Sequence, residues 1–380
     1  DGIRDSSTSR GLGDVYKRQL SALLILSANL CAYSIEKDPE QKGGIKEEIK
    51  EYIAHHLKDS HSFGIASYTK ENGEKVYIEI PLPVILYDNG FNFFISSEFK
   101  HGKKVVTSNE NYYRMYYDKN RIYKTDSEGT FIYDDSNKLL NEKPIDFSIT
   151  KNVVVMIFTA LFMLWLFISL ARSYKTNKGI SKGMGRFFEP IVLYVRDEIA
   201  RPNIGKNYKK YMSFLLTIFF FVLFLNLLGL TPIGINVTGN IAITFSLALL
   251  TFIITNITAN KNYWAHIFWM PGVPKPIRLI LAPIELLGVF IKPLTLMIRL
   301  YANMQGGHIV IMSIIGLMFI FYNWIGSSLS FVLAFLLMII ELFVALLQAY
   351  IFTILSALYF GFANEEHEPV SYTHLRAHET

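Results

Sequence analysis

VVVMIFTALFMLWLFISLA, residues 153–171, runs nineteen positions without a charged side chain. At ~1.5 Å rise per residue such a helix crosses a ~30 Å hydrocarbon core, and a helix apolar all round has no face to give to water. Further apolar stretches lie at roughly 211–230, 241–259, 279–322 and 327–362. The last two are longer than a perpendicular crossing: as a helix, 327–362 would be ~54 Å long and needs a strong tilt or an overhang. Pro283 and Pro293 are candidate kinks in the first of them. The expected fold is a mainly α, polytopic membrane protein with about five crossings, its two C-terminal helices long and steeply tilted. A small N-terminal extramembrane domain containing β-structure precedes it.

Charge sets the expected orientation. Residues 172–210 carry ten Lys or Arg against three acids, with an amphipathic stretch, RFFEPIVLYVRDEIA, inside them. By the positive-inside rule this segment is cytoplasmic. The uncharged TPIGINVTGN, 231–240, belongs on the opposite side, and KNYWAHIFWMPGVPKPIR, 261–278, returns to the cytoplasm with Lys261, Lys275, Arg278 and two interfacial tryptophans. The net charge of +5 is explained by these loops, so no nucleic-acid partner is implied. With Cys31 the single cysteine, an intrachain disulfide framework and a multi-cysteine metal site are excluded.

The front of the chain reads differently. Residues 1–19 lack an initiator Met and any periodicity and, with the closing VSYTHLRAHET, resemble translated adapter sequence, so 1–19 and most of 365–380 are set aside as non-native. LSALLILSANLCAYS, within 20–35, has the short apolar run of a signal-peptide remnant, which puts 36–149 outside the cytoplasm. In 36–149, runs such as KVYIEIPLPVILY, FNFFISS and GTFIYDD sit between Asn-Gly, Gly and Asp turn signals, giving a β-containing domain ahead of a membrane domain at 150–364. His55, His56 and His61 cluster in HHLKDSHSF without metal-ligand spacing and are taken as a solvated helix end.

Within the two final stretches the strongly polar residues are few: Glu285, Lys292, Arg299, Asn303, Gln305, His308, Glu341 and Gln348. A charge at mid-membrane costs a few kcal/mol on insertion scales, and such residues face a bundle interior or an aqueous cavity. Arg299 cannot shed its proton. Fourteen positions separate Glu285 from Arg299, which places them on nearly one helical face ~21 Å apart, with Asn303 joining that face. His308 points roughly opposite, and Glu341 and Gln348 share a face of the next helix. An acid on one side of a fixed cation, and a His with an acid on the other, suggest two polar entrances kept apart by Arg299.

PIELLGVFIKPLTLMIRLYANMQGGHIV, 283–310, resembles the signature of ATP synthase a subunits, and ELFVALLQAYIFTILSALYFG, 341–361, is similar to that family's last helix. The likeness extends more weakly over Phe187 to Asn364. It implies that Arg299 meets the carboxylate of a rotating c-subunit ring and blocks leakage between two half-channels. Asn303 and Gln348 would line that region, Glu285 would serve the cytoplasmic half-channel, and His308 with Glu341 would form one unit of the external one. In other members that position pair carries the acid first and the histidine second, so the identities are exchanged here. Where many members have acids after the second span, this chain has Gly229 and Gly234. The implied partners are the c ring, a b-subunit peripheral stalk, the rest of the synthase and the bilayer of a bacterial inner membrane. No cofactor or metal is implied, and the role is non-catalytic.

Rivals fit less well. A membrane anchor leaves Arg299 unexplained, a secondary transporter would be expected to carry paired internal repeats, and an intramembrane hydrolase would need an HExxH, Ser-His or Cys nucleophile arrangement.

Overall fold

In a computed structural model the described residues are 46, 49–50, 52–54, 56–69, 75–116, 120–135, 139–176, 183, 185–231, 235–269, 274–321 and 323–365. The expectations for 1–19, for 20–35 and for nearly all of the tail lie outside them, as does His55. The described chain forms two compact units, one holding residues up to Ile53 with Met312–Ala334 and the other Ala54–Ile311 with Phe335 onward. In the first, Ile49 lies against Gly316, where a Cβ would strike its side chain.

The second unit opens with three small antiparallel sheets: β1 (Ser62–Thr69) with β2 (Lys75–Pro81); β4 (Phe91–Ile95), β3 (Pro83–Tyr87) and β8 (Ile145–Asp146) in that order; and β5 (Val106–Ser108), β6 (Asn111–Tyr116) and β7 (Arg121–Thr125). Asn89 and Gly90 turn β3 into β4 with φ of 53° and 147°, the left-handed backbone that Asn and Gly tolerate best. Alternation along β3 and β4 sends Val84, Leu86 and Phe94 into a core with Phe99, Val106, Tyr113, Met115 and Ile122. GTFIYDD supplies no strand of its own, only a single bridge from Tyr133 to Leu139.

The two ends of this domain are tied together. Asp59 accepts from the Thr150 hydroxyl at 2.8 Å and the Asn152 amide at 3.3 Å, and the Lys151 ammonium donates to the His56 carbonyl at 2.9 Å. For His61 the solvated-helix-end reading is overturned. His61 is 3% exposed and its Nε2 lies 3.1 Å from Asp146 on β8, because the returning chain closes over it.

Helices make up the rest: α1 (Lys151–Thr176), α2 (Gly185–Tyr194) leading into a π-helical turn at Val195–Ala200, α3 (Tyr208–Gly229), α4 (Ile241–Ile257), α5 (Lys261–Phe268), α6 (Lys275–Ile320) and α7 (Trp324–Asn364). Among the described residues four apolar segments are long enough to cross a membrane, Gly185–Gly229 counting as one, and α4 with α5, bent by 101°, gives a fifth when the pair is counted as one span. At 46 residues α6 would be ~69 Å long, so a ~30 Å core cannot hold it upright. It runs unbroken through Pro283 and Pro293. Ile157, Phe158, Leu161, Leu164 and Trp165 of α1 stay exposed, as expected of a lipid-facing stripe. The opposite sides pack Met163, Leu215, Phe220, Leu296, Leu300, Phe352 and Phe360 into one core. Residues 185–204 contribute Val195, Ile199 and Ile204 to that same core.

Candidate functional site

α6 and α7 lie antiparallel across the second unit, and three pairings fix their register. The Tyr359 hydroxyl reaches the Lys292 carbonyl at 3.5 Å, Asn303 Nδ2 donates to Gln348 Oε1 at 2.8 Å, and the Glu341 carboxyl lies over Gly307. The pairings step by eleven and four residues along α6 and by eleven and seven along α7, each close to a whole number of turns, so they keep to one face of each helix.

Arg299 sits between the first two pairings. It is half-buried and makes no hydrogen bond or ion pair with any described residue, and Tyr359 is near enough to feel its charge. Gln348 is 1% exposed and spends its oxygen on Asn303, leaving Nε2 with no partner among the described residues. Glu341 is 7% exposed with Oε1 in the same condition. Buried polar atoms of this kind cost ~1–3 kcal/mol each unless water or another chain reaches them. Both lie on the face of α7 that packs against α6.

Toward the α3–α4 connection the wall gains residues that sequence reasoning passed over. Asn226, fully buried on α3, donates to the Ala345 carbonyl and accepts from the Thr238 hydroxyl at 2.8 Å. Asn236 donates to the Met304 carbonyl at 2.9 Å and accepts from the Gly239 amide. The signal was available: an Asn inside LFLNLLGL and an uncharged loop rich in Asn and Thr are costly in lipid without a polar neighbour. His308 belongs to this end, but its ring stacks on His56 at 5.8 Å and 14° rather than bonding Glu341. Asn303 and Gln348 are thus brought together, while His308 and Glu341 are neighbours by position only.

At the other end Glu285 is half-buried and within electrostatic reach of Tyr263 on α5. A cleft beside it is lined by Thr251, Thr255, Asn256, Tyr263, Lys292 and Tyr359. Among the described residues no cluster of three His, Cys, Asp or Glu could hold a metal ion.

The family model described as ATP synthase A chain matches residues 153–361, more than half of the chain. This chain belongs to that family. The relative named ATP synthase subunit a in Chloroherpeton thalassium is 40% identical over 243 residues, 61% of this chain and 72% of its own length. Those of Pelodictyon phaeoclathratiforme, at 43% over 59% and 69%, and Myxococcus xanthus, at 42% over 57% and 73%, bear the same name. Membership makes the chain a multi-pass, proton-translocating component of the membrane sector of an ATP synthase. Residues 52–147 match a second family model, described as a domain of unknown function.

Proposed function

We propose that this chain is the non-catalytic a subunit of a bacterial rotary ATP synthase, with Arg299 as the cation that meets the carboxylate of a c-subunit ring. The observation that carries the reading is Arg299 itself: a permanent charge on an apolar helix, with no carboxylate partner among the described residues. A neutral ring carboxylic acid can pass through lipid, whereas an unpaired carboxylate cannot. Beside Arg299 the opposite charge favours the anion, so the acid gives up its proton at that angular position. Proton release is thereby tied to rotation.

Two offset half-channels complete the scheme. The cytoplasmic one runs by Glu285, Tyr263 and the cleft holding Asn256 and Tyr359. The external one runs by Asn226, Asn236, His308 and Glu341, with Asn303 and Gln348 flanking the arginine. Their support is the sequence of polar side chains along α6 and α7 and the orphaned atoms of Glu341 and Gln348. A peripheral stalk of b subunits holds the chain still against the ring. The domain at 36–149 lies on the periplasmic side, as the signal-like run before it suggests, and 172–210 on the cytoplasmic side, as its ten-to-three excess of Lys and Arg suggests.

Arg299→Ala tests the core of this. The variant copurifies with the other subunits, and proton-driven ATP synthesis in inverted vesicles falls to background. Synthesis at the wild-type rate would remove the mechanism.

A further inference from the structure

The stacking of His308 on His56 joins the membrane helix to a residue that precedes β1, in a domain the proton path does not otherwise involve. We propose that His56 is a proton-carrying residue of the external entrance, forming with His308 a two-imidazole relay that the front domain helps to build. The inference rests on the channel reading above, since His308 must lie on the path.

Three observations carry it. The first is geometry: the rings are 5.8 Å apart and nearly parallel at 14°, so the two side chains share one local environment. The second is fixation. The Lys151 ammonium holds the His56 carbonyl at 2.9 Å, the Lys151 amide holds the Ser60 carbonyl at 3.0 Å, and Asp59 is bonded to Thr150 and Asn152 at the head of α1. His56 is therefore anchored to a membrane helix. The third is chemistry: imidazole is the side chain whose ordinary pKa, ~6.5, lets it both take and release a proton near neutral pH.

The transfer balances simply. Neutral His56 takes a proton from water on the external side and becomes an imidazolium. Stacked rings turn their faces and not their nitrogens to each other, so that proton passes to neutral His308 through a bridging water, His56 returns to neutral, and His308 releases the proton toward the Glu341 side of α7. Like charges this close disfavour a second proton, so the pair holds one and hands it on rather than storing two. Charged groups near the pair among the described residues include Lys151 on α1, Asp59 in the segment after His56, and Glu341 on α7, whose carboxyl lies over the neighbouring Gly307. Lys151 offers its charge to the backbone of His56, and Glu341 stands on the inward side as the next acceptor.

The test uses the intact synthase in liposomes, making ATP from a potassium diffusion potential set with valinomycin, a drive that a weak base does not dissipate. His56→Phe keeps a stacking ring but cannot hold a proton, and His56→Ala opens a ring-sized gap. Both should slow synthesis about tenfold, less than the ~10²–10⁴ typical of positioned proton-transfer groups because water carries part of the flux. Added imidazole should restore the Ala variant and leave the Phe variant slow. Wild-type rates in His56→Phe, or slow variants that imidazole leaves unchanged, would mean that the ring only packs, and the relay falls. Arg299→Ala is run alongside. If it blocks synthesis while the His56 variants do not, the relay alone is wrong; if it makes ATP normally, the channel reading has failed instead.

Discussion

Gly307→Ala is the sharpest probe of the wall between α6 and α7. A methyl group there would fall on the Glu341 carboxyl, far inside van der Waals contact with both oxygens. Restoring an ordinary separation of ~3.5 Å moves the carboxyl by about 1 Å or more. The helix has no objection: glycine to alanine in a helix interior is favourable by ~0.5–1 kcal/mol, so assembly is expected to be normal. Transport is the exposed quantity, because a ~1 Å misplacement of a reacting group can cost ~10²-fold. Proton-driven ATP synthesis in inverted vesicles should fall by tenfold to a hundredfold, on the order of that penalty. Glu341→Asp shortens the side chain by one methylene and withdraws the carboxyl from the new methyl, so adding it to Gly307→Ala should recover part of the loss, a coupling read from a double-mutant cycle. Wild-type synthesis by Gly307→Ala, or no gain from the second change, would refute the placement of Glu341 on the proton path.

In the front domain, burial alone would lift the Asp146 carboxyl, but hydrogen bonds from His61 and Ser148 bring it down to about 2. An unfolded aspartate titrates near 3.8, so this contribution is complete above pH ~4 and is lost as the pH falls toward 2. Pepsin should cut the front domain of the detergent-solubilised chain increasingly between pH 4 and 2. Asp146→Asn, lacking on the order of 1 kcal/mol at neutral pH once solvent screening of this part-exposed pair is allowed for, should raise amide exchange in β3 about fivefold at pH 7; unchanged exchange would show that the His61 contact stabilises nothing. For orientation, Ser127→Cys in a Cys31→Ser background should react with an impermeant maleimide added outside intact cells, and Lys206→Cys should not. The reverse pattern would invert the topology.

The helices were legible because lipid imposes one rule on every residue of a span. Long apolar runs mark the spans to within a few positions, and Arg299, Asn303 and Gln348 stand out because each is expensive there. The prolines are candidate kinks on sequence, and both lie inside the single helix α6. The front domain was harder. KVYIEIP, PVILY and FNFFI declared themselves by alternation, but β5 has three residues and its turn uses Asn109 and Glu110, both at positive φ, where no glycine marks the place. The neighbours of His56, His61 and Glu341 were invisible because each contact closes over a long stretch of chain, and helix periodicity speaks only of residues on the same helix. A solvated end was the natural reading of HHLKDSHSF until β8 returned to cover it.

The bonds between residues 59–60 and 150–152 also bear on how this chain could have changed over time. Both strands of that junction meet at the head of α1, so the chain from Gly64 to Ile149 hangs from a narrow neck, beside which Phe63 packs against the cluster of Val155, Leu225, Ile235 and Val237. Lengthening or trimming a loop whose ends are already held together alters closure entropy only logarithmically. Apart from the contact of Phe63, the helices therefore register little of what is gained or lost beyond the neck. Residues beyond it are free to diversify, while those at the neck, His56 and Asp59 among them, answer to the membrane.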